Sequence, residues 1–124
     1  MDMLRYLENS SFIKSFEVTD FKRWEKGQYL NLKIEFIDNS ILFVKEYLDS
    51  VERNYSFHWQ DEKERLLIRW DNAPHYPKHT TFPHHKHIPE QIVESTEISL
   101  KEVMRFIEKK TGPDSILWGG FSKL

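Results

Sequence analysis

The six histidines of this chain are confined to one stretch that runs from His58 to His87. Histidine is the side chain whose charge changes near neutral pH, and it is also the commonest metal ligand in proteins. Arg69, Asp71 and Asn72 lie within the same stretch, and packing alone does not require such a concentration of chemically active side chains. The sequence therefore predicts that the functional site lies in this segment.

Paired histidines beside an arginine can cleave RNA without a metal ion. One histidine removes the proton of the 2′-hydroxyl, another protonates the leaving 5′-oxygen, and a cation stabilises the phosphate as negative charge builds up. Arg69 is the expected phosphate partner, and Asp71 is expected to orient a histidine ring, as an acidic residue does in a catalytic triad. The predicted catalytic residues are His58, Arg69, Asp71, His75 and His85. The predicted substrate-binding residues are Asn72, His84, Lys86 and His87.

A metal centre is an alternative use of the same histidines. In an extended segment His85 and His87 share one face while His84 points to the other, so the three do not form a compact chelate by themselves. The sequence has no HExxH pattern, and Asp71 is the one carboxylate of the cluster over residues 71–87. The prediction is therefore a site without a metal ion or other cofactor, and a metal-dependent hydrolase is kept as an alternative.

Each of these residues also has an ordinary structural explanation. Asp71 and Asn72 precede a proline and are well suited to closing a turn. An arginine on a strand, such as Arg69, is more often solvated or ion-paired than catalytic, and His58 can simply be exposed on the face opposite an aromatic row. The structural explanation is favoured for any one residue, whereas function is favoured for the cluster as a whole.

Composition places the chain among folded proteins of ordinary charge. Its 124 residues suffice for one domain, and nine Phe, five Tyr and four Trp are not the composition of a disordered chain. A net charge of −2 gives no general attraction to nucleic acid, and the absence of cysteine excludes disulfides and thiol catalysis. We see neither a signal peptide nor an apolar run of membrane-spanning length, so we expect a cytoplasmic protein without a membrane partner.

Most of the chain before the histidine-rich segment alternates between apolar and polar residues, which is the period of half-buried strands. Five strands are predicted, over residues 13–24, 30–36, 41–48, 54–60 and 65–70. Their short connections favour antiparallel neighbours and hence a meander. Four prolines between residues 72 and 97 forbid a long helix there, and a short edge strand is predicted at 86–88 or 91–93.

Helices are predicted at both ends of this region. Asp2 is placed to cap a short helix that ends near Asn9. Ser99 and Glu102 match a capping box, and the apolar stripe that follows at helical spacing ends at Gly112. The predicted fold is α+β: a single domain, residues 1–124, with a twisted antiparallel meander of four to six strands and N-terminal and C-terminal helices packed on one face.

Three motifs occur in a fixed order along the chain, YSFHWQD at 55–61, IRWDNAPH at 68–75 and TFPHHKH at 81–87. In this order and spacing they resemble the TumE-type toxins of prokaryotic toxin–antitoxin systems, and the resemblance covers most of the chain. It implies a small toxin in bacterial or archaeal cytoplasm, encoded beside a DNA-binding antitoxin that neutralises it. The positions that match the motifs are His58, Arg69, Asp71, Asn72, His75, His84, His85 and His87.

We therefore predict a growth-inhibiting toxin whose partners are a cognate DNA-binding antitoxin and RNA. The histidine and arginine content adds the prediction of a metal-independent endoribonuclease. Two other hypotheses remain, a non-enzymatic module that binds nucleic acid or protein and a metal-dependent hydrolase. Trp118 and Phe121 are candidate antitoxin contacts, because aromatic residues anchor many interfaces.

Overall fold

Alternating apolar and polar residues build a seven-stranded sheet in the computed structural model, which describes residues 2–74 and 81–112. The strands are β1 (Ile13–Trp24), β2 (Gly27–Phe36), β3 (Ile41–Leu48), β4 (Arg53–Gln60), β5 (Leu66–Asp71), β6 (His85–Ile88) and β7 (Gln91–Glu94). The helices are α1 (Met3–Asn9) and α2 (Leu100–Thr111). The predictions that concern His75, Trp118 and Phe121 lie outside the described residues.

The strands follow one another across the sheet in sequence order, and each neighbouring pair is antiparallel. The predicted α+β class and antiparallel meander are thereby confirmed. The described residues form seven strands rather than four to six, because both short segments of the proline-rich region pair, β6 with β5 and β7 with β6. Pro83 and Pro89 stand just outside these four-residue strands, so neither removes a donor from the ladder.

One face of the sheet carries the apolar core. Phe57 and Trp59 on β4 and Ile68 and Trp70 on β5 are almost fully buried there. Phe106 of α2 meets Trp59 and Trp70 edge-on, with ring centroids 6.1 and 5.7 Å apart. Both helices contribute to the same cluster, and their buried members are Leu7 of α1 and Leu100, Val103, Met104 and Ile107 of α2. The prediction that both helices pack on one face is confirmed.

Local signals in the sequence set the ends of α2. The hydroxyl of Ser99 accepts the backbone N–H of Glu102, and the Glu102 carboxylate accepts the backbone N–H of Ser99. This is the predicted capping box, which satisfies two donors that the first turn of a helix leaves unpaired. At the other end, the N–H of Gly112 donates to the Glu108 carbonyl. No helix within residues 2–74 and 81–112 is long and apolar enough to cross a membrane.

The other face of the sheet is mainly polar over strands β3 to β6. Period-two alternation sends every second residue of these strands away from the helices. We call this surface the polar face and define it by Lys45, Ser56, His58, Arg69, Asp71, His85 and His87. It therefore collects most of the residues that the sequence marked as chemically active.

Candidate functional site

Arg69 lies between two histidines on the polar face. The strand register pairs it with His58 of β4 on one side and with His87 of β6 on the other. Residues paired across antiparallel strands point to the same face, so the three side chains form a row. The Nη1 atom of Arg69 is 3.5 Å from Nδ1 of His58. In the sequence, both residues alternate with the aromatic rows of two strands joined by a short hairpin, which predicts that they are cross-strand neighbours on one face. The register confirms this prediction.

Asp71 belongs to the neighbouring row of the polar face, between Ser56 and His85, and it contacts the row of Arg69. It is 5% exposed, and its Oδ1 lies 2.7 Å from Nε2 of His85 while its Oδ2 lies 3.4 Å from Nε2 of His87. Oδ2 also accepts the Nε–H of Arg69 at 3.1 Å, and Oδ1 accepts the backbone N–H of Ala73 at 3.1 Å. The carboxylate therefore holds the arginine and both histidines in one constellation.

His85 is the deepest member of the constellation. The residue is 2% exposed, and its Nδ1 lies 3.0 Å from the carbonyl oxygen of Pro83. Because a carbonyl oxygen can only accept, Nδ1 carries the hydrogen of this contact. The contact fixes the ring with Nε2 towards Asp71, behind the surface that a dissolved substrate can touch. This placement suits a positioning role better than the direct catalytic role that the sequence predicted.

Burial lowers the pKa values of the two partly buried histidines of the row, His58 and His87. It lowers the pKa of the His58 ring below its usual value, and the positive charge of Arg69 lowers that pKa further. Burial also lowers the pKa of His87, although the carboxylate of Asp71 acts in the opposite direction. Both shifts favour the neutral imidazole, which has a lone pair that can accept a proton or bind a metal ion.

Asn72, predicted to bind substrate, forms two hydrogen bonds that link β5 to β4. Its side-chain oxygen accepts the backbone N–H of Tyr55 at 2.9 Å, and its side-chain nitrogen donates to the Arg53 carbonyl at 2.7 Å. Both ends of the amide are thus bound to the backbone of β4. The side chain thereby extends the pairing of β5 with β4 by one position.

His84 and Lys86 also lie away from the polar face. Nδ1 of His84 is 2.9 Å from the hydroxyl of Tyr55, and the two rings stack with an interplanar angle of 13°. Tyr55 belongs to the buried row of β4, so His84 is held on the core side. Lys86 pairs across from Trp70 and therefore shares the face of the helices. Alternation along β6 separates Lys86 from His85 and His87, and the contact with Tyr55 holds His84 on the core side.

The site also contains residues that the sequence analysis did not select. Phe43 of β3 is 36% exposed, and its ring centroid lies 6.3 Å from that of His58. Lys45 follows on the same face of β3. The alternation of these two residues with buried Leu42 and Val44 is the signal that places them beside His58. A depression of about 350 Å³ is lined by Phe43, Lys45, Ser56, His58, Gln60 and Arg69.

The residues within 2–74 and 81–112 that could hold a metal ion are Asp71, His85 and His87, whose candidate ligand atoms lie within 4.8 Å of one another. Two imidazoles and one carboxylate form a set of ligands that zinc and other divalent transition ions accept. The sequence predicted no metal site because the histidines at 84–87 do not form a compact chelate by themselves and because Asp71 is the one carboxylate of the segment. Pairing of β5 with β6 brings that carboxylate to His85 and His87.

Comparison with known proteins gives one match. A family profile described as Toxin TumE matches residues 3–111 of the chain, which include both helices and all seven strands described above. No curated protein and no solved structure matches the chain.

Proposed function

The chain belongs to the TumE family of toxins, and from this premise we propose that it inhibits growth by cleaving RNA on its polar face. The observation that carries the proposal is the row in which Arg69 lies between His58 and His87. A toxin of this kind has an antitoxin partner, and we propose that the partner is a cognate DNA-binding antitoxin. The proposed setting is the cytoplasm, where the toxin meets both its antitoxin and RNA.

His58 is the proposed general base. The lowered pKa of its ring keeps the neutral form available at neutral pH, and the neutral ring can remove the proton of a 2′-hydroxyl group. The 2′-oxygen then attacks the adjacent phosphorus, and the 5′-oxygen leaves. A partly buried ring at the edge of an open depression is within reach of such a substrate.

Arg69 is the proposed phosphate-binding residue. Its guanidinium is permanently charged and offers several N–H donors to phosphate oxygens. Nε is engaged by Asp71, and this contact orients the remaining donors along the row. The leaving 5′-oxygen would lie on the other side of Arg69 from His58. There it needs a proton or a cation. Half-buried His87 lies at that position, with buried Asp71 and His85 behind it.

Single-stranded RNA is the proposed substrate form. Phe43 provides an exposed aromatic ring beside His58 on which an unpaired base can stack. Lys33 lies over the same ring at 6.0 Å. Lys45 follows Phe43 on the same face of β3, and it lines the same depression as Arg69. Positive charges next to an exposed ring are the combination that sequence-tolerant single-strand binding uses.

The test is RNA cleavage by the purified full-length chain from about pH 5 to pH 9, with products separated on a denaturing gel. His58→Ala should reduce the rate by roughly 10²–10⁴-fold, since that is the usual contribution of a general base. His84→Ala is the matched control, because it removes a histidine held on the core side. Circular dichroism and growth arrest in cells are measured for every variant.

Three outcomes separate the hypotheses. Loss of cleavage in His58→Ala with activity in His84→Ala supports the proposal. Equal loss in both variants contradicts a specific role for His58. A chain that arrests growth yet yields no product at any pH contradicts RNA cleavage and points to toxicity through binding alone.

A further inference from the structure

Asp71, His85 and His87 meet at one point where β5 and β6 pair. Asp71 lies directly across from His85, and His87 follows two residues later on the same face of β6. The ring centroids of the two histidines are 5.0 Å apart. Asp71 and His85 are buried and His87 is half-buried, so the cluster is closed on the protein side and open towards the polar face.

The two contacts of the His85 ring favour a positive species between its Nε2 atom and Asp71. Its Nδ1 carries a hydrogen because it faces the carbonyl oxygen of Pro83 at 3.0 Å. In the neutral ring, Nε2 therefore has a lone pair, and this atom lies 2.7 Å from the carboxylate oxygen Oδ1 of Asp71. Two electron-rich atoms at that distance repel each other unless a proton or a metal ion lies between them.

We propose that Asp71, His85 and His87 form a binding site for one divalent transition-metal ion such as Zn²⁺ or Mn²⁺. The ligands would be a carboxylate oxygen and the Nε2 atom of each ring. Ligand atoms around an ion at about 2.1 Å are themselves about 3.0 to 3.4 Å apart. Oδ1 of Asp71 lies 2.7 Å from Nε2 of His85, and its Oδ2 lies 3.4 Å from Nε2 of His87. One ligand atom from each of the three residues lies within 4.8 Å of the others, so side-chain adjustment would bring them onto one ion.

The surroundings resemble those that support metal-binding histidines. A ligating histidine usually donates its other ring N–H to a carbonyl or carboxylate, which fixes the tautomer, and the contact of His85 with Pro83 does this. Asp71 is held by the backbone N–H of Ala73. Arg69 also contacts the carboxylate, but 41% of its side chain is exposed, so it can move aside. Three protein ligands leave positions open for water or a substrate oxygen.

A metal ion at this site would assist the proposed RNA cleavage, but its binding does not depend on that function. An ion here lies on the side of Arg69 where the leaving 5′-oxygen needs a proton or a cation, and a metal ion supplies a Lewis acid at that position. Ion binding is nevertheless a property of the protein alone, so it can be measured without RNA.

The test is titration of the full-length, EDTA-treated chain with Zn²⁺ and Mn²⁺ by isothermal calorimetry. We expect saturable binding of one ion per chain for at least one of the two. His87→Ala should weaken binding by more than the roughly 10–100-fold that loss of a supporting contact costs. His84→Ala, which removes the neighbouring histidine held by Tyr55, should leave the affinity unchanged. His87→Gln is a second variant that removes the ring nitrogen but keeps a side chain of similar size, and it should weaken binding in the same way.

A thermal melt and a spectrum give readouts that calorimetry does not. The ion should raise the melting temperature of the wild type and of His84→Ala but not of His87→Ala, because ligands that bind the folded state stabilise it. Co²⁺ should give visible absorption bands with the wild type but not with His87→Ala or His87→Gln. Absence of saturable binding by the folded wild type, or equal weakening in His84→Ala and His87→Ala, would overturn the proposal. A proton shared by Asp71 and His85 would then explain their contact. RNA cleavage that persists without ion binding would leave the proposed function in place.

Discussion

Arg69 and His58 face each other across β4 and β5, with 3.5 Å between Nη1 of the arginine and Nδ1 of the histidine. A guanidinium has N–H donors and no acceptor, so the nitrogen of His58 that faces it is favoured as a lone pair. The same pairing places a permanent positive charge beside a ring that must become positive in order to be protonated. Arg69 therefore both holds His58 and resists its protonation.

The first prediction concerns the titration of His58. Protonation of His58 should occur below the usual value near pH 6.5, because burial and Arg69 both lower its pKa. Arg69→Gln removes one positive neighbour, and this should raise the pKa of His58 and move its titration towards higher pH. His87, the other titratable neighbour that acts on this ring, remains in the variant. NMR titration of the ring protons measures both values, and an unchanged or lower pKa in the variant would contradict this account.

The second prediction separates Lys45 from Lys86. The sequence marked Lys86 as a substrate-binding residue, whereas the strand register puts Lys45 on the polar face and Lys86 on the other. If RNA lies along the polar face, Lys45→Ala should reduce the slope of log affinity against log salt by about 0.7, the value of one phosphate contact in a single strand. Lys86→Ala should leave the slope unchanged. Fluorescence anisotropy with a non-cleavable oligonucleotide measures both slopes, and the reverse result would place RNA elsewhere.

Short-range signals account for the part of the site that was predicted correctly. In the hairpin between β4 and β5, the backbone N–H of Asp61 donates a hydrogen bond to the carbonyl of Arg65. The Asp61 carboxylate also accepts the backbone N–H groups of Lys63 and Arg65. A connection this short limits the possible registers, and alternation along the two strands places His58 and Arg69 on one face. The exact pairing of the two residues also depends on a register shift next to Trp59 and Gln60, which the sequence did not predict.

The contact between Asp71 and His85 could not be predicted from short-range signals, because it depends on the pairing of β5 with β6. β6 begins fourteen residues after the end of β5, and no local pattern sets the register across so long a connection. The residue type was also a poor guide to role. Asn72 and Lys86 are polar members of a chemically active stretch, yet backbone pairing makes the first a structural bracket and turns the second away from the site.

The third prediction tests Asn72 as a structural residue. Asn72→Ala leaves a backbone N–H of Tyr55 and a carbonyl of Arg53 without their side-chain partner, and this should cost about 1–3 kcal/mol of unfolding free energy. Asn54→Ala, at an exposed position of β4, is the matched control and should change stability by less than about 0.5 kcal/mol. Urea unfolding measures both. If Asn72→Ala is as stable as the wild type but loses RNA binding, the residue binds substrate and the structural account is contradicted.

The fourth prediction concerns Arg53, which ties β4 to β3 and to the segment before α2. Its guanidinium lies 2.7 Å from Glu46 and 3.2 Å from Glu97, donates to the carbonyl of Ile98 at 2.9 Å and lies 4.3 Å over the ring of Tyr55. The side chain is 19% exposed, so solvent screens these contacts only in part. Arg53→Ala should therefore lower the unfolding free energy by about 1.5–3 kcal/mol, the range for charged hydrogen bonds.

Arg65 offers the matched comparison, since it also pairs with a carboxylate but 71% of its side chain is exposed. An exposed pair with Asp61 gains little over solvation by water, so Arg65→Ala should cost less than about 1 kcal/mol. The same urea titration compares the two variants. Arg53→Lys adds a further step, because a lysine keeps the charge but cannot reach Glu46, Glu97 and the Ile98 carbonyl with one planar group. If Arg53→Lys is as stable as the wild type, charge alone holds the segment before α2. If it is as unstable as Arg53→Ala, the geometry of the guanidinium is what fixes α2 against the core face.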